Sequence, residues 1–208
     1  MKPGPPLDPR RYYTETIPLQ FNGALDAQER LGEDGRDVYQ AMRAVDASIC
    51  IEVRGEGGGR FYLNIRAGRM SAGDAPAQAP FLTVVQDLPA FEKLAREAGD
   101  SALALLGGLS GLGGEMRLTR KRIESLGQLQ GAVRFSVGGD HGFDLITHFG
   151  PGPVPERPTA SIAVDEVAYR ELRSGKLEPA EAFMNGQIKV EGDLRLAMQL
   201  ALAALSVD

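Results

Sequence analysis

Residues 174–200 read SGKLEPAEAFMNGQIKVEGDLRLAMQL. A strand-like run, Gln187-Ile188-Lys189-Val190, stands between Gly186 and Gly192, and the chain then enters a helix that is apolar almost all the way round. Asp193 is placed to cap that helix, because a short carboxylate can accept from the free N–H groups of a first turn. At about 100° per residue, with Leu194 at zero, Ala201, Leu205 and Met198 cluster around it. Ala197, Ala204, Leu200 and Leu196 widen the surface on one side and Leu202 on the other. The apolar arc covers roughly 240°, against roughly 100° or more for a helix on a single core. Arg195, Gln199 and the small Ala203 interrupt it. The extra face requires an occupant: the rest of the chain or a second copy of it, a membrane surface, or an apolar ligand. A membrane-surface helix wants Lys or Arg along its polar face, and this one has Arg195 alone.

The segments before it alternate in the manner of strands. In "GAVRFSVGGDHGFDLITHFG" (131–150), Val133, Phe135 and Val137 lead to a glycine-rich turn, and Phe143 and Leu145 return from it. This pattern predicts a β-hairpin. "TASIAVDEVAYREL" (159–172) predicts a strand running into a helix opened by Asp165. The same order appears earlier in the chain. Ile49, Ile51 and Val53 precede the turn "GEGGG" (55–59), and Phe61, Leu63 and Ile65 follow it. A loop rich in Ala, Gly and Pro leads to the apolar run Phe81–Val85, and Asp87 opens a helix with Pro89 in its first turn. Asp87, Ala90, Phe91 and Leu94 align with Asp165, Ala168, Tyr169 and Leu172 at a constant offset of 78, as do Gly108 with Gly186 and Gly114 with Gly192. A register held this long argues for an internal duplication. The first copy is weaker at its end: a helical stretch at Ala102–Leu106 is followed by "GGLSGLGG" (107–114), and glycine is a poor strand former. Its last helix, "EMRLTRKRIESLGQLQ" (115–130), has a narrower apolar arc, roughly 160° on the same count.

Composition bounds the function. The chain has 208 residues, 43% hydrophobic and 25% charged, with a net charge of −5. This suits a folded protein, and no basic stripe of the kind that nucleic-acid binders carry is present. One cysteine, Cys50, excludes an internal disulfide and fits a reducing compartment. The start, "MKPGPPLDPRRYY", lacks the apolar core of a signal peptide, and the longest apolar stretch is far too short to span a bilayer. A soluble, cytoplasmic protein is expected. The excess of Arg over Lys, with abundant Ala and Gly, suits a GC-rich bacterial gene.

No catalytic constellation stands out. His141 and His148 come with Asp140 and Asp144, and read as exposed turn residues rather than metal ligands. Cys50 falls mid-strand, where a thiol is buried and inert. "GEGGGR" and "GGLSGLGG" lack the Lys-Ser/Thr and the βαβ context of a phosphate loop. For an enzyme acting on a hydrophobic substrate, Tyr169, Asp165 and the two histidines are the polar groups available.

Ser174-Gly175-Lys176-Leu177, Pro179, Ala182-Phe183, Gly186, Lys189-Val190, Gly192, Leu194 and Leu196-Ala197-Met198-Gln199-Leu200 together resemble the signature of the sterol carrier protein type 2 family. The resemblance covers about residues 125–205. The first copy is similar more loosely, through its hairpin, "GRMSAGDAP" (68–76) and "DLPAFEKL" (87–94). Arg195 stands where the family has a small residue. The resemblance implies an α+β fold, a mainly antiparallel, mixed five-stranded sheet covered by helices, here duplicated. It also implies a tunnel for a fatty acid, fatty acyl-CoA or sterol, with binding or transfer rather than catalysis, and no cofactor or metal. On this reading the tunnel walls are Phe183, Met184, Leu194, Ala197, Met198 and Ala201, with Phe135, Phe143 and Ile162 from the sheet. The alternative is a ligand-free scaffold or dimerisation module that uses the apolar helix as a protein interface, as in a homodimer. The organisation expected is an N-terminal arm (1–22), a degenerate first repeat (23–124) and a second repeat (125–208).

Overall fold

The computed structural model describes residues 7–98, 118–140 and 142–205. The stretch Ala102–Leu106, the glycine-rich 107–114, residues 115–117 and His141 lie outside them, as do the side chains of Ala98, Ala201, Ala204 and Leu205.

The segment expected as an arm is helical from Pro9 onward. Asp8 caps α1 (Pro9–Arg11), its Oδ1 accepting from Arg10 N–H at 2.9 Å. A π-helical stretch, Tyr12–Thr16, leads into α2 (Ile17–Arg30), and α3 (Arg36–Arg43) follows. Pro18 has no N–H to give the Thr14 carbonyl and its ring would press on that group in a regular helix. The wider turn avoids this, with Ile17 N–H bonding back to the Tyr12 carbonyl. Tyr13, Ile17, Phe21 and Leu25 recur at every fourth residue, and all four are buried in the core.

β1 (Ala47–Arg54) and β2 (Gly59–Arg66) form the first hairpin, Ile49 opposite Leu63 and Ile51 opposite Phe61. An additional strand, β3 (Arg69–Gly73), pairs with β2 where a loop was expected. Only Met70 of its five residues enters the core, so it carries no alternation of large apolar side chains. β4 (Leu82–Asp87) runs parallel to β1, Ile49 beside Leu82. Asp87 then caps α4 (Leu88–Ala98) through Ala90 N–H at 2.8 Å.

The second half repeats much of this geometry. After α5 (Arg120–Gly127), β5 (Gly131–Val137) and β6 (Phe143–Phe149) pair with Val133 opposite Thr147 and Phe135 opposite Leu145. β7 (Ala160–Val164) runs parallel to β5, Val133 beside Ala160. Both hairpin turns close alike: Gly58 N–H donates to the Gly55 carbonyl at 3.1 Å, and Gly142 N–H to the Gly139 carbonyl at 3.0 Å. Gly55 and Gly139 both take positive φ, 106° and 90°. Asp165 caps α6 (Glu166–Arg173) through Val167 and Ala168 N–H. α7 (Pro179–Met184), β8 (Ile188–Gly192) and α8 (Leu194–Leu205) complete the chain.

The sheet has eight strands in the order β3-β2-β1-β4-β6-β5-β7-β8, where five were expected. β4 and β6 join the halves antiparallel, with Leu82 opposite Phe149 and Gln86 opposite Leu145. A bare strand edge is a row of unpaired N–H and C=O groups, and this joint removes one from each half. One face of the sheet carries the row Val53, Gln86, Leu145, Phe135, Ile162 and Val190. Helical residues from both halves pack with this face in one continuous core.

Candidate functional site

The sequence between Gly175 and Asp193 builds the site locally. Gly186 and Gly192 take φ of 71° and 81°, conformations that a side chain disfavours, and so end α7 and β8 where they do. At Gly192 a Cβ would also press on the Thr159 carbonyl. Asp193 N–H donates to that carbonyl at 3.0 Å, and the Asp193 carboxylate accepts from Leu196 N–H at 3.1 Å. This places the cap as expected and fixes the direction in which α8 leaves the sheet.

The structure sets the rotation of α8, which the apolar arc alone leaves open. The face against the sheet is Leu196, Ala197, Leu200 and Ala203, all buried, and Leu196 packs on the bare backbone of Gly131 in β5. Leu194, Met198 and Leu202 point away from the sheet. Leu194, Met198 and Leu202 are 49%, 57% and 67% exposed, and Phe183 and Met184 at the end of α7 are 51% and 86% exposed. Among the described residues these five make up most of the large apolar side chains left exposed, the others being Leu19, Leu31 and Val167.

Of the nine residues expected as tunnel walls, the eight with described side chains fall into two groups. Phe183, Met184, Leu194 and Met198 form the exposed set, and Ala201 lies outside the described side chains. Ala197, Phe135, Phe143 and Ile162 are buried. The two phenylalanines pack on Tyr169 of α6, their ring centroids 6.3 and 5.5 Å from it, and Ile162 lies between Phe135 and Val190.

Tyr169 carries the aromatic cluster to the surface. Its hydroxyl donates to Glu97 Oε2 at 3.4 Å, which also receives Arg173 Nη1 at 2.7 Å. Burial pushes this phenol up to about 12, so it is a hydrogen-bond donor at neutral pH and not a base. A hollow of about 600 Å³ opens here between α4 and α6, lined by Lys93, Arg96, Glu97, Glu166, Tyr169 and Arg170 among others.

His148 was expected in an exposed turn, but it sits inside β6 and is buried. The turn is confined to residues 138–142, between Val137 and Phe143, and His148 is the sixth residue of the strand that returns from it. His148 Nδ1 is buried without a hydrogen-bond partner, and burial lowers the pKa of the ring. Asp144 pairs with Arg134 at 3.0 Å across the hairpin. Cys50 lies mid-strand and buried, as expected, and burial pushes its thiol up. Among the described residues no group of three or more His, Cys, Asp and Glu could hold a metal ion. Among them, too, no helix is long and apolar enough to cross a membrane.

Residues 117–204 match the SCP-2 sterol transfer family. A hydroxysteroid dehydrogenase-like protein 2 from Danio rerio is 31% identical over 78 residues, 34% of this chain and 19% of that protein, so the chain spans about a fifth of that relative's length. Among solved structures, sterol carrier protein 2 like 2 from Aedes aegypti is 21% identical over 36% of this chain and 73% of its own, with a TM-score of 0.30. Sterol carrier protein 2 from Yarrowia lipolytica, in its apo form, is 19% identical over 38% of this chain and 76% of its own, also with a TM-score of 0.30.

Proposed function

We propose that this protein binds a hydrophobic small molecule, a fatty acid, fatty acyl-CoA or sterol-like compound, and carries or sequesters it. The observation that carries this reading is the exposed row Leu194, Met198 and Leu202 beside Phe183 and Met184. Water around such side chains is unfavourable by about 1.5–3 kcal/mol for each one that could be fully buried. A sequence that needed α8 only to seal the sheet would keep apolar residues on the Leu196–Leu200 side and polar ones opposite. The match of residues 117–204 to the SCP-2 sterol transfer family supports a lipid as the occupant. In this scheme the exposed side chains contact the ligand, and Ala197, Ala201, Phe135, Phe143 and Ile162 form the wall behind them. The chemistry is binding, with no bond made or broken. A ligand-free dimer closed through the same row is the second reading, because one apolar face suits either occupant.

We also propose that the two halves are tandem copies of one unit, divided near residue 124. The equal hairpin registers, the equal glycine turns and the equal Asp caps support this. Each half would lack one strand at the joint, where the other half supplies β4 or β6.

Native mass spectrometry of the whole protein with added palmitate or cholesterol tests the ligand. The expected result is a saturable mass shift that a Leu194→Ser/Met198→Ser variant loses. Both positions are about half exposed, so the variant should stay folded, with stability changed by about 0.5 kcal/mol per site. A protein that takes up neither lipid, but is a dimer that this variant dissociates, establishes the scaffold reading instead.

A further inference from the structure

The opposite face of the sheet carries a different set of side chains. Cross-strand pairing sets Tyr62 beside Cys50, Cys50 beside Thr83, and Thr83 beside His148 in one row. Neighbours in such a row have Cβ atoms roughly 5 Å apart, close enough to form one continuous floor. The next row begins with Arg60 and Glu52. Glu52 Oε1 accepts from Arg54 Nε at 2.9 Å, and Glu52 Oε2 from Arg60 Nη2 at 2.7 Å. These contacts hold the Glu52 carboxyl below its ordinary range, so it stays ionised.

Two proline-bearing loops wall this floor, one contributing Pro76 and Pro80 and the other Pro151 and Pro153. They enclose a cavity of about 470 Å³ that reaches Cys50, Tyr62, Thr83 and the Arg54–Glu52–Arg60 cluster. That volume lies within the range of small-molecule sites. The walls are stiff because proline fixes its own φ, so little ordering is needed when a ligand enters.

From this geometry we propose a second binding site, for a small monoanionic carboxylate with a compact apolar body. Its carboxylate sits on Arg54 and Arg60, and its body lies between the proline walls above Cys50 and Thr83. Each guanidinium has five N–H donors and commits one to Glu52. Both arginines are more than half exposed, so their remaining donors can meet an incoming oxyanion. Two cations and one carboxylate leave a single net positive charge at the cluster. A monoanion balances it. A dianionic phosphate ester would leave excess negative charge against Glu52 in a chain that is already at −5. This site is on the other face of the sheet from Leu196 and Leu200, so its occupancy does not depend on the lipid reading.

Cys50 is the only cysteine, so [¹³C]cysteine labelling gives one resonance, at the cavity floor. Titration with benzoate should move that resonance saturably in the millimolar range. The neutral isostere benzamide should leave it unmoved, and phenyl phosphate, a dianionic ester at about pH 8, should act at least tenfold more weakly. Arg54→Gln and Arg60→Gln should each weaken benzoate at least tenfold, with melting temperature and palmitate uptake unchanged. A Cys50 resonance that ignores benzoate, that follows benzamide equally, or that responds alike in wild type and both arginine variants overturns the site. A response to phenyl phosphate as strong as to benzoate overturns the monoanion assignment.

Discussion

The two hairpins share one register and differ in what covers them. Over β1 and β2 the N-terminal helices supply Tyr12 and Tyr13, which pack with Phe61 and Phe91 at centroid distances of 5.3–5.6 Å. Over β5 and β6 the cover is Tyr169 from α6 and the inner side of α8. One polar residue marks the difference. Gln86 of β4 stands where β7 has Val164, and it faces the core. A buried amide demands a partner, and Gln86 Nε2 donates to the Tyr13 hydroxyl at 2.6 Å. Valine demands none. The first half is thus tied to its own N-terminal helix, and the second half leaves its last helix with an outward apolar row.

The largest expected effect breaks that tie. Tyr13→Ala removes a fully buried ring and strands Gln86, and should destabilise by about 4 kcal/mol or more in urea unfolding. The double-mutant cycle isolates the polar part. Tyr13→Phe and Gln86→Val should each lose about 1–3 kcal/mol, and the pair together should recover most of the loss, because both unsatisfied groups are then gone. An additive pair would mean that Gln86 does not hold the N-terminal helix.

A smaller effect probes the sameness of the hairpins. A Cβ at Gly58 would collide with the Val53 carbonyl, and one at Gly142 with the Val137 carbonyl. Gly58→Ala and Gly142→Ala should therefore each destabilise by about 1–3 kcal/mol, and to a like extent. Clearly unequal losses would argue against equivalent turns.

The smallest effect concerns one position the hairpins share, Asn64 in β2 and His148 in β6. Asn64 accepts from Ser48 Oγ at 2.7 Å and from Ala77 N–H at 2.8 Å, and donates to the Ala75 carbonyl at 3.0 Å. His148 has no such set around Nδ1. Its pKa in the folded state lies below the ordinary 6.5, so the unfolded chain binds the proton more readily. Stability supplied by the neutral ring is complete above 6.5 and is lost as pH falls through the lower folded value. His148→Asn, which copies the first half, should flatten the pH dependence of the melting temperature in that window.

Local chemistry was legible in the chain. Alternation at Ile49–Ile51–Val53 and Val133–Phe135–Val137 specified the hairpins, because side chains of a strand alternate between faces. Asp87, Asp165 and Asp193 announced three helix starts, because capping involves only residues two or three apart. The run from Ser174 to Leu200 also carried the family resemblance. Of the expected site residues, the sequence identified α8 as having too much apolar surface, but not which part of it stays outside.

Those matters fall to long-range packing. Nothing near β4 or β6 in the sequence says that their edges meet, so the single eight-stranded sheet is a property of the folded halves. The rotation of α8 follows from Leu196 resting on Gly131, more than sixty residues away in the chain. His148 and the Tyr62–Cys50–Thr83 row acquire their surroundings only when four strands align. Sequence determined which segments become strands and helices and where they stop, because those choices are made within a few residues. Tertiary structure decided which apolar surfaces are closed and which are left open, because burial depends on whatever distant segment arrives against them.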